Sequence, residues 1–153
     1  MEFTVSVEGL DKIAKASEAV QRSVGLELQK GLLASAQRVE RAAKDSIRQG
    51  SKTGRVYTRR TVTHRASAPG EAPASDTGRL INSISSYLNR IAGLESFVVA
   101  GRGVVKYASM LEFGTIRMAA RPFMVPAYEK SRAWIKERLA RAVNDGIKKA
   151  TKR

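Results

Sequence analysis

One apolar stripe near the start of the chain constrains its fold more than any other feature. Ile, Val, Leu and Ala side chains recur there at helical spacings: Ile13, Val20, Val24, Leu28, Leu32, Ala36, Val39, Ala43 and Ile47. This spacing places them on one face of an α-helix, and such a face must be buried against another element. The stripe predicts a long amphipathic helix that follows Asp11 and stops near Gly50.

Two glycines interrupt the predicted helix. Gly25 and Gly31 each weaken it by about 1 kcal/mol relative to alanine. We therefore expect a kink or a break near residues 23–25.

Short alternating segments predict a small antiparallel sheet. Phe3, Val5 and Val7 alternate with polar residues, and SSYLNRI and SFVVAG are two further candidate strands, joined by a turn at 92–95. Between these elements, Asp76 or Thr77 would cap a short helix.

A second long helix is predicted at the C-terminal end, opened by Pro122 or Pro126. Its buried face would carry Ser131, Ile135, Leu139, Val143 and Ile147. Residues 148–153 should fray. Together the elements predict one α+β domain over 1–153, with a small antiparallel sheet packed against the N-terminal and C-terminal helices.

A basic arm and a Pro-rich loop occupy residues 46–76. The stretch from Ser46 to Gly70 contains no acidic residue. Its centre, VYTRRTVT, is rich in β-branched residues, which favours either a hairpin or an extended arm that orders against a partner. The segment ASAPGEAPAS after it is typical of an exposed loop with polyproline character.

Composition excludes several kinds of chemistry. The formal net charge is +14, which favours polyanions or acidic protein faces as partners. The chain has no cysteine and one histidine, His64, so thiolate zinc sites, disulfides and two-histidine metal sites are excluded. No phosphate-binding glycine loop and no nucleic-acid reading motif occurs. We assign no catalytic, cofactor or metal residue, and we interpret His64 as a solvated or interface side chain.

Two blocks of sequence resemble a known family. ASAPGEAPASDTGRLINSI (66–84), followed by YASMLEFGTIRMAARPFMVPAY (107–128), resembles the putative tail-component family of long-tailed bacteriophages and prophages, the gene-product-ten-like neck or tail-completion proteins. The resemblance extends from the first long helix to the end of the chain. It implies a structural virion protein, not an enzyme, that acts at the head-tail neck as one subunit of a homo-oligomeric ring through which the genome passes.

The second block reads as a corner that locks the fold. Gly114 would turn the chain with positive φ, Thr115 would begin the exit, and Arg121, held extended by Pro122, would pair with Glu112. Phe113, Phe123 and Met124 would be buried beneath this corner.

The arm and the loop are the predicted assembly interface, and we expect the arm to order on assembly. The residues assigned to the interface are Arg55, Tyr57, Arg59, Arg60, His64, Arg65, Pro69, Gly70, Glu71 and Pro73. Partners implied by the resemblance are copies of the chain, head-completion or adaptor proteins, and the tail tube or tail terminator protein, with DNA in the channel as a weaker hypothesis and no membrane. The alternatives are a basic non-specific nucleic-acid-binding protein of prophage origin and, with less support, a small nuclease or toxin.

Overall fold

The computed structural model describes residues 2–6, 18–89, 94–102 and 105–151. The elements, in chain order, are β1 (Glu2–Ser6), α1 (Glu18–Gln49), β2 (Val56–Arg59), β3 (Val62–Arg65), α2 (Arg79–Asn82), β4 (Ser85–Asn89), β5 (Glu95–Val99), α3 (Ala108–Phe113) and α4 (Met124–Thr151). The predicted α+β class is confirmed. The expected start of the first helix after Asp11, the position of Val7 and the first half of the turn at 92–95 lie outside the described residues.

A three-stranded antiparallel sheet packs against α1. Its strand order is β1-β5-β4, and Cα partners include Phe3 with Val98 and Tyr87 with Phe97. The rings of Tyr87 and Phe97 stack with centroids 5.2 Å apart. Alternation along β5 buries Ser96 and Val98, so one face of the sheet contributes to the core.

Helix α1 is continuous through the position where a kink was expected. Val24, Leu28, Leu32 and the rest of the apolar stripe from residue 24 to residue 47 are buried. Each glycine weakens the helix by only about 1 kcal/mol, and packing against α4 and the sheet outweighs that cost. The predicted break is therefore absent, because that prediction weighed helix propensity without tertiary contacts.

Small residues let α1 and α4 approach closely. A Cβ placed on Gly31 would lie 3.2 Å from the Cβ of Ala142, and one on Gly146 would lie 2.5 Å from the Cα of Val24. The two helices run in opposite directions, since Glu27 near the start of α1 accepts a hydrogen bond from Lys149 near the end of α4.

The buried face of α4 departs from the prediction towards its C-terminal end. Ser131 and Ile135 are buried, but Ile147 is 41% exposed, and Ala142 and Gly146 face α1 instead. A strict four-residue spacing advances about 40° per step around a helix of 3.6 residues per turn. Four such steps carry position 147 to the outside.

Two predicted helix ends also differ. The N-cap of α2 is Gly78, at φ 73° and without a side-chain cap, so neither Asp76 nor Thr77 caps this helix. Helix α4 begins at Met124, not at Pro122 or Pro126, and is helical as far as Thr151; fraying of residues 148–153 stays a prediction. The two last residues lie outside the described part.

Candidate assembly surface

The carboxylate of Glu112 caps the N-terminus of α4. Glu112 lies at the end of α3 and is 3% exposed. Its Oε2 accepts the backbone N–H groups of Phe123 at 2.8 Å and Met124 at 3.0 Å, and its Oε1 accepts that of Val125 at 2.7 Å. The first N–H groups of a helix have no partner within the helix and carry positive charge, so a carboxylate placed there stabilises the helix start. The side chain thus joins α3 to α4.

Arg121 does not pair with Glu112, contrary to the sequence prediction. Its Nε donates to the carbonyl of Ser67 at 3.2 Å, and its backbone N–H donates to the carbonyl of Leu111 at 2.6 Å. Both oxygens of the Glu112 carboxylate already accept hydrogen bonds from N–H groups at the start of α4. No sequence pattern indicated this contact. Arg121 therefore ties the corner to the Pro-rich loop.

The turn between α3 and α4 depends on Gly114. Its φ of 76° lies in the region that favours glycine, and a Cβ there would meet the carbonyl oxygen of Met118 at 2.8 Å. Thr115 and Met118 exchange backbone hydrogen bonds of 2.8 and 3.2 Å, and Pro122 lies two residues before the start of α4 at Met124. The predicted positive φ at Gly114 is confirmed.

The Pro-rich loop is fastened to the base of the arm by Glu71. Its carboxylate accepts the backbone N–H of Thr53 at 2.9 Å, that of Ala68 at 2.8 Å and the hydroxyl of Thr53 at 2.7 Å. These donors, the Thr53 N–H foremost, lower the pKa of Glu71 to about 2. Pro73 is buried in the same chain. Of the residues assigned to the predicted interface, Glu71 therefore has a role within the chain and Pro73 is buried, whereas Pro69 and Gly70 are exposed.

The arm is a two-stranded hairpin in the single chain. Val56 pairs with Arg65 and Arg59 with Val62, around a turn in which Arg60 has φ 57°. Of the two sequence alternatives, the hairpin is the observed one. Ordering of the arm on assembly stays a prediction.

One face of the hairpin rests on the loop through Asp76. Arg59 Nη1 lies 2.7 Å from one oxygen of Asp76, and His64 Nε2 lies 3.4 Å from the other. The ring of Tyr57 stacks on that of His64 with centroids 5.7 Å apart. His64 thus serves as a contact within the chain, while the basic side chains of Arg55, Arg60 and Arg65 remain exposed.

An exposed apolar surface at the α3–α4 corner was missed by the sequence reasoning. Met110 is 52% exposed, Phe113 is 69% exposed and Ile116 is fully exposed, while Val125 is 39% exposed. We call these four residues the apolar corner. Phe123 and Met124 are fully buried as predicted, but the prediction that Phe113 is buried was wrong.

The register of α3 explains the exposure of Phe113. Ala108 and Glu112, four residues apart, are the buried members of this short helix. Residues at i and i+4 share a face, so Met110 and Phe113 point away from it. Had the carboxylate of Glu112 been recognised as a helix cap, this register would have followed from the sequence.

The described residues contain no group of three or more side chains suited to holding a metal ion. Within the same ranges, no helix is long and apolar enough to cross a bilayer. Comparisons of the chain with protein-family models, with curated proteins and with solved structures find no match.

Proposed function

We propose that this chain is a non-enzymatic structural subunit of a phage head-tail neck, which assembles with copies of itself into a ring around the DNA channel. The observation that carries the proposal is the apolar corner. Its four large side chains are exposed, although they lie beside Glu112 and Gly114, which hold the turn between α3 and α4. Exposed apolar side chains grouped in this way mark an interaction surface. The resemblance of residues 66–84 and 107–128 to phage tail components supplies the biological setting.

Two different outward surfaces favour a ring over a two-fold dimer. The apolar corner and the hairpin belong to separate parts of the chain, at residues 110–125 and 56–65. When unlike surfaces of identical subunits meet, the contact is heterologous and generates a closed ring if the rotation closes. Adaptor proteins on the head side and the tail tube or terminator on the other would bind the two rims of such a ring in the virion.

The assembly can be tested with paired surface variants. We expect Phe113→Ser with Ile116→Ser to leave the fold intact and to keep the protein monomeric, because both side chains are exposed. The matched control, Leu26→Ser with Ile147→Ser, removes two exposed apolar side chains elsewhere and should still form rings. Light scattering after size exclusion and electron micrographs of purified protein measure the outcome. A wild-type protein that never forms rings, or a control that loses them while the corner variant keeps them, contradicts the proposal.

Deletion of the arm offers a second test in phage. Gly54 donates its N–H to the carbonyl of Ala66 at 3.0 Å, so the ends of the hairpin are close and the chain can be rejoined without residues 54–65. The shortened protein should fold, by circular dichroism, and fail to join heads to tails. Separate filled heads and tails in micrographs are the expected result; normal virions would refute a role for the arm.

The alternative function is non-specific nucleic-acid binding, and the exposed Arg55, Arg60 and Arg65 favour it. A monomer that binds DNA with strong salt dependence and forms no rings would support this alternative over the neck subunit.

A further inference from the structure

A basic groove runs along the contact between α1 and α4. It has a volume of about 440 Å³ and is lined by Arg38 and Arg41 from α1 and by Lys130 from α4. One helical turn after Lys130, Trp134 lies beneath the guanidinium of Arg38, with its ring centroid 4.7 Å from Cζ. Two turns after Lys130, Arg138 places Nη1 3.7 Å from where a Cβ on Gly31 would lie. We call these four cations with Trp134 the basic groove.

The four cations have no acidic partner within the described ranges. Other basic side chains of the helices are neutralised: Lys30 and Lys149 by Glu27, and Lys44 by Glu40. No such ion pair involves Arg38, Arg41, Lys130 or Arg138 among these residues. Asp45 also lines the groove, at the end nearer Gln49. The electrostatic potential of the groove is therefore most positive at the end near Arg38 and Arg138.

The cations line the groove over a length comparable to that of several phosphates of one DNA strand. Lys130, Trp134 and Arg138 follow each other at four-residue intervals on α4, so the two cations are separated by about 12 Å along the helix axis. The phosphates of one DNA strand rise about 3.4 Å each, so about three or four fall within that distance. Arg38 and Arg41 provide charge from the opposite wall.

We infer that the basic groove binds the phosphate backbone of duplex DNA without reading its sequence. This inference rests on the proposed function only for its biological setting. It extends the proposed function by naming the surface of the subunit that faces DNA. A protein partner fits less well, because the apolar residues that line the cavity, Ala42, Pro126 and Ala127, are small, and the ring of Trp134, the large anchor that a protein interface would use, is covered by the guanidinium of Arg38.

The groove also suits DNA better than the hairpin does. Its cations project from two long helices that pack along their length, so binding orders few additional groups. In the hairpin, Arg59 is already paired with Asp76. The remaining hairpin arginines extend from a two-stranded unit whose residues are mostly exposed, which leaves it free to contact neighbouring subunits.

The test compares two double variants that remove the same charge. Arg41→Gln with Lys130→Gln alters the groove, and Arg60→Gln with Arg65→Gln alters the hairpin. Binding of a mixed-sequence DNA duplex is measured by fluorescence anisotropy over a series of KCl concentrations. We expect the groove variant to lower the slope of log K against log salt by about 1.8, since each neutralised phosphate contributes about 0.9. The hairpin variant should lower it by clearly less.

The only tryptophan of the chain supplies a local reporter, since it lies in the groove. DNA should change the emission of Trp134 in the wild type and in the hairpin variant, and should change it much less in the groove variant. Three results would each overturn the inference. They are an equal loss of slope in the two variants, DNA binding that leaves the emission of Trp134 unchanged, and an equal change in that emission on adding polyglutamate.

Ring formation by the same samples separates this test from that of the proposed function. The groove variant should assemble like the wild type, because its substituted side chains hold no part of the chain together. Absence of rings from wild-type protein would refute the neck proposal and leave the DNA measurement valid.

Discussion

Replacement of Glu112 by glutamine should destabilise the protein strongly although it changes only one atom of the side chain. Oε2 accepts two backbone N–H groups of α4 and Oε1 accepts one. An amide nitrogen cannot accept, so one or two buried N–H groups lose their partner, whichever way the amide lies. A hydrogen bond to a charged group contributes about 1.5–3 kcal/mol. The expected loss is thus about 2–5 kcal/mol of unfolding free energy.

Arg121→Gln distinguishes this capping role from the ion pair that the sequence suggested. Arg121 loses one hydrogen bond, from Nε to the carbonyl of Ser67, which should cost about 1 kcal/mol. Because the guanidinium contacts Ser67 and not the Glu112 carboxylate, the double variant should show a coupling energy below about 0.5 kcal/mol.

Urea denaturation followed by circular dichroism measures all three variants, with the slope of free energy against urea as the check on two-state behaviour. A Glu112→Gln cost below about 1 kcal/mol would refute the capping argument. A coupling of 1 kcal/mol or more would restore the ion pair.

Four further substitutions test the core and the helix pair. Gly146→Ala should destabilise the protein by about 1–3 kcal/mol, since its Cβ would lie 2.5 Å from the backbone of α1. Gly25→Ala should stabilise it by up to about 1 kcal/mol, because nothing lies within 4 Å of a Cβ at that position. Thermal unfolding compares the two variants, and a stability change of the same sign in both would contradict the close approach of the helices at Gly146. Ser96→Ala should raise the unfolding free energy by about 1 kcal/mol, because its buried hydroxyl has no hydrogen-bond partner within the described ranges; a loss measured by urea denaturation would indicate an unseen partner. Hydrogen bonds from Lys149 and Lys30 lower the pKa of Glu27 to about 2, so its stabilisation is complete above the unfolded-state pKa near 4.5 and is lost as the pH falls through 2. Glu27→Gln should therefore reduce stability by about 1 kcal/mol at neutral pH and progressively less in acid, and a pH-independent difference would contradict this.

The sequence predicts those parts of the fold that follow from side-chain periodicity. Burial of the stripe from Val24 to Ile47 and the pairing of β4 with β5 need only the geometry of helices and strands. The same method fails at Ile147, where repeated four-residue steps no longer follow one helix face. It also fails at Gly25, where propensity suggests a break and the helix continues.

The candidate surface was harder to predict, because it depends on contacts between distant parts of the chain. Glu71 was expected to face a neighbouring subunit, yet its carboxylate accepts donors from Thr53 and Ala68. Phe113 was expected in the core, yet the cap formed by Glu112 turns it outward. In both cases a glutamate binds backbone N–H groups, and such groups leave no mark in the sequence.

This use of glutamate helps to explain why the chain presents so much positive charge. Glu71 and Glu112 direct their oxygens to backbone donors, and Asp76 is shared between Arg59 and His64. Each carboxylate used in this way fastens one segment to another without neutralising a basic group on the helix pair. With 28 Lys and Arg against 14 acidic residues, cations such as Arg41 and Lys130 then remain without partners within the described ranges. The internal fastening of the chain and the DNA binding proposed for the basic groove would therefore have one physical origin, and the Glu112 and basic-groove variants should affect them separately.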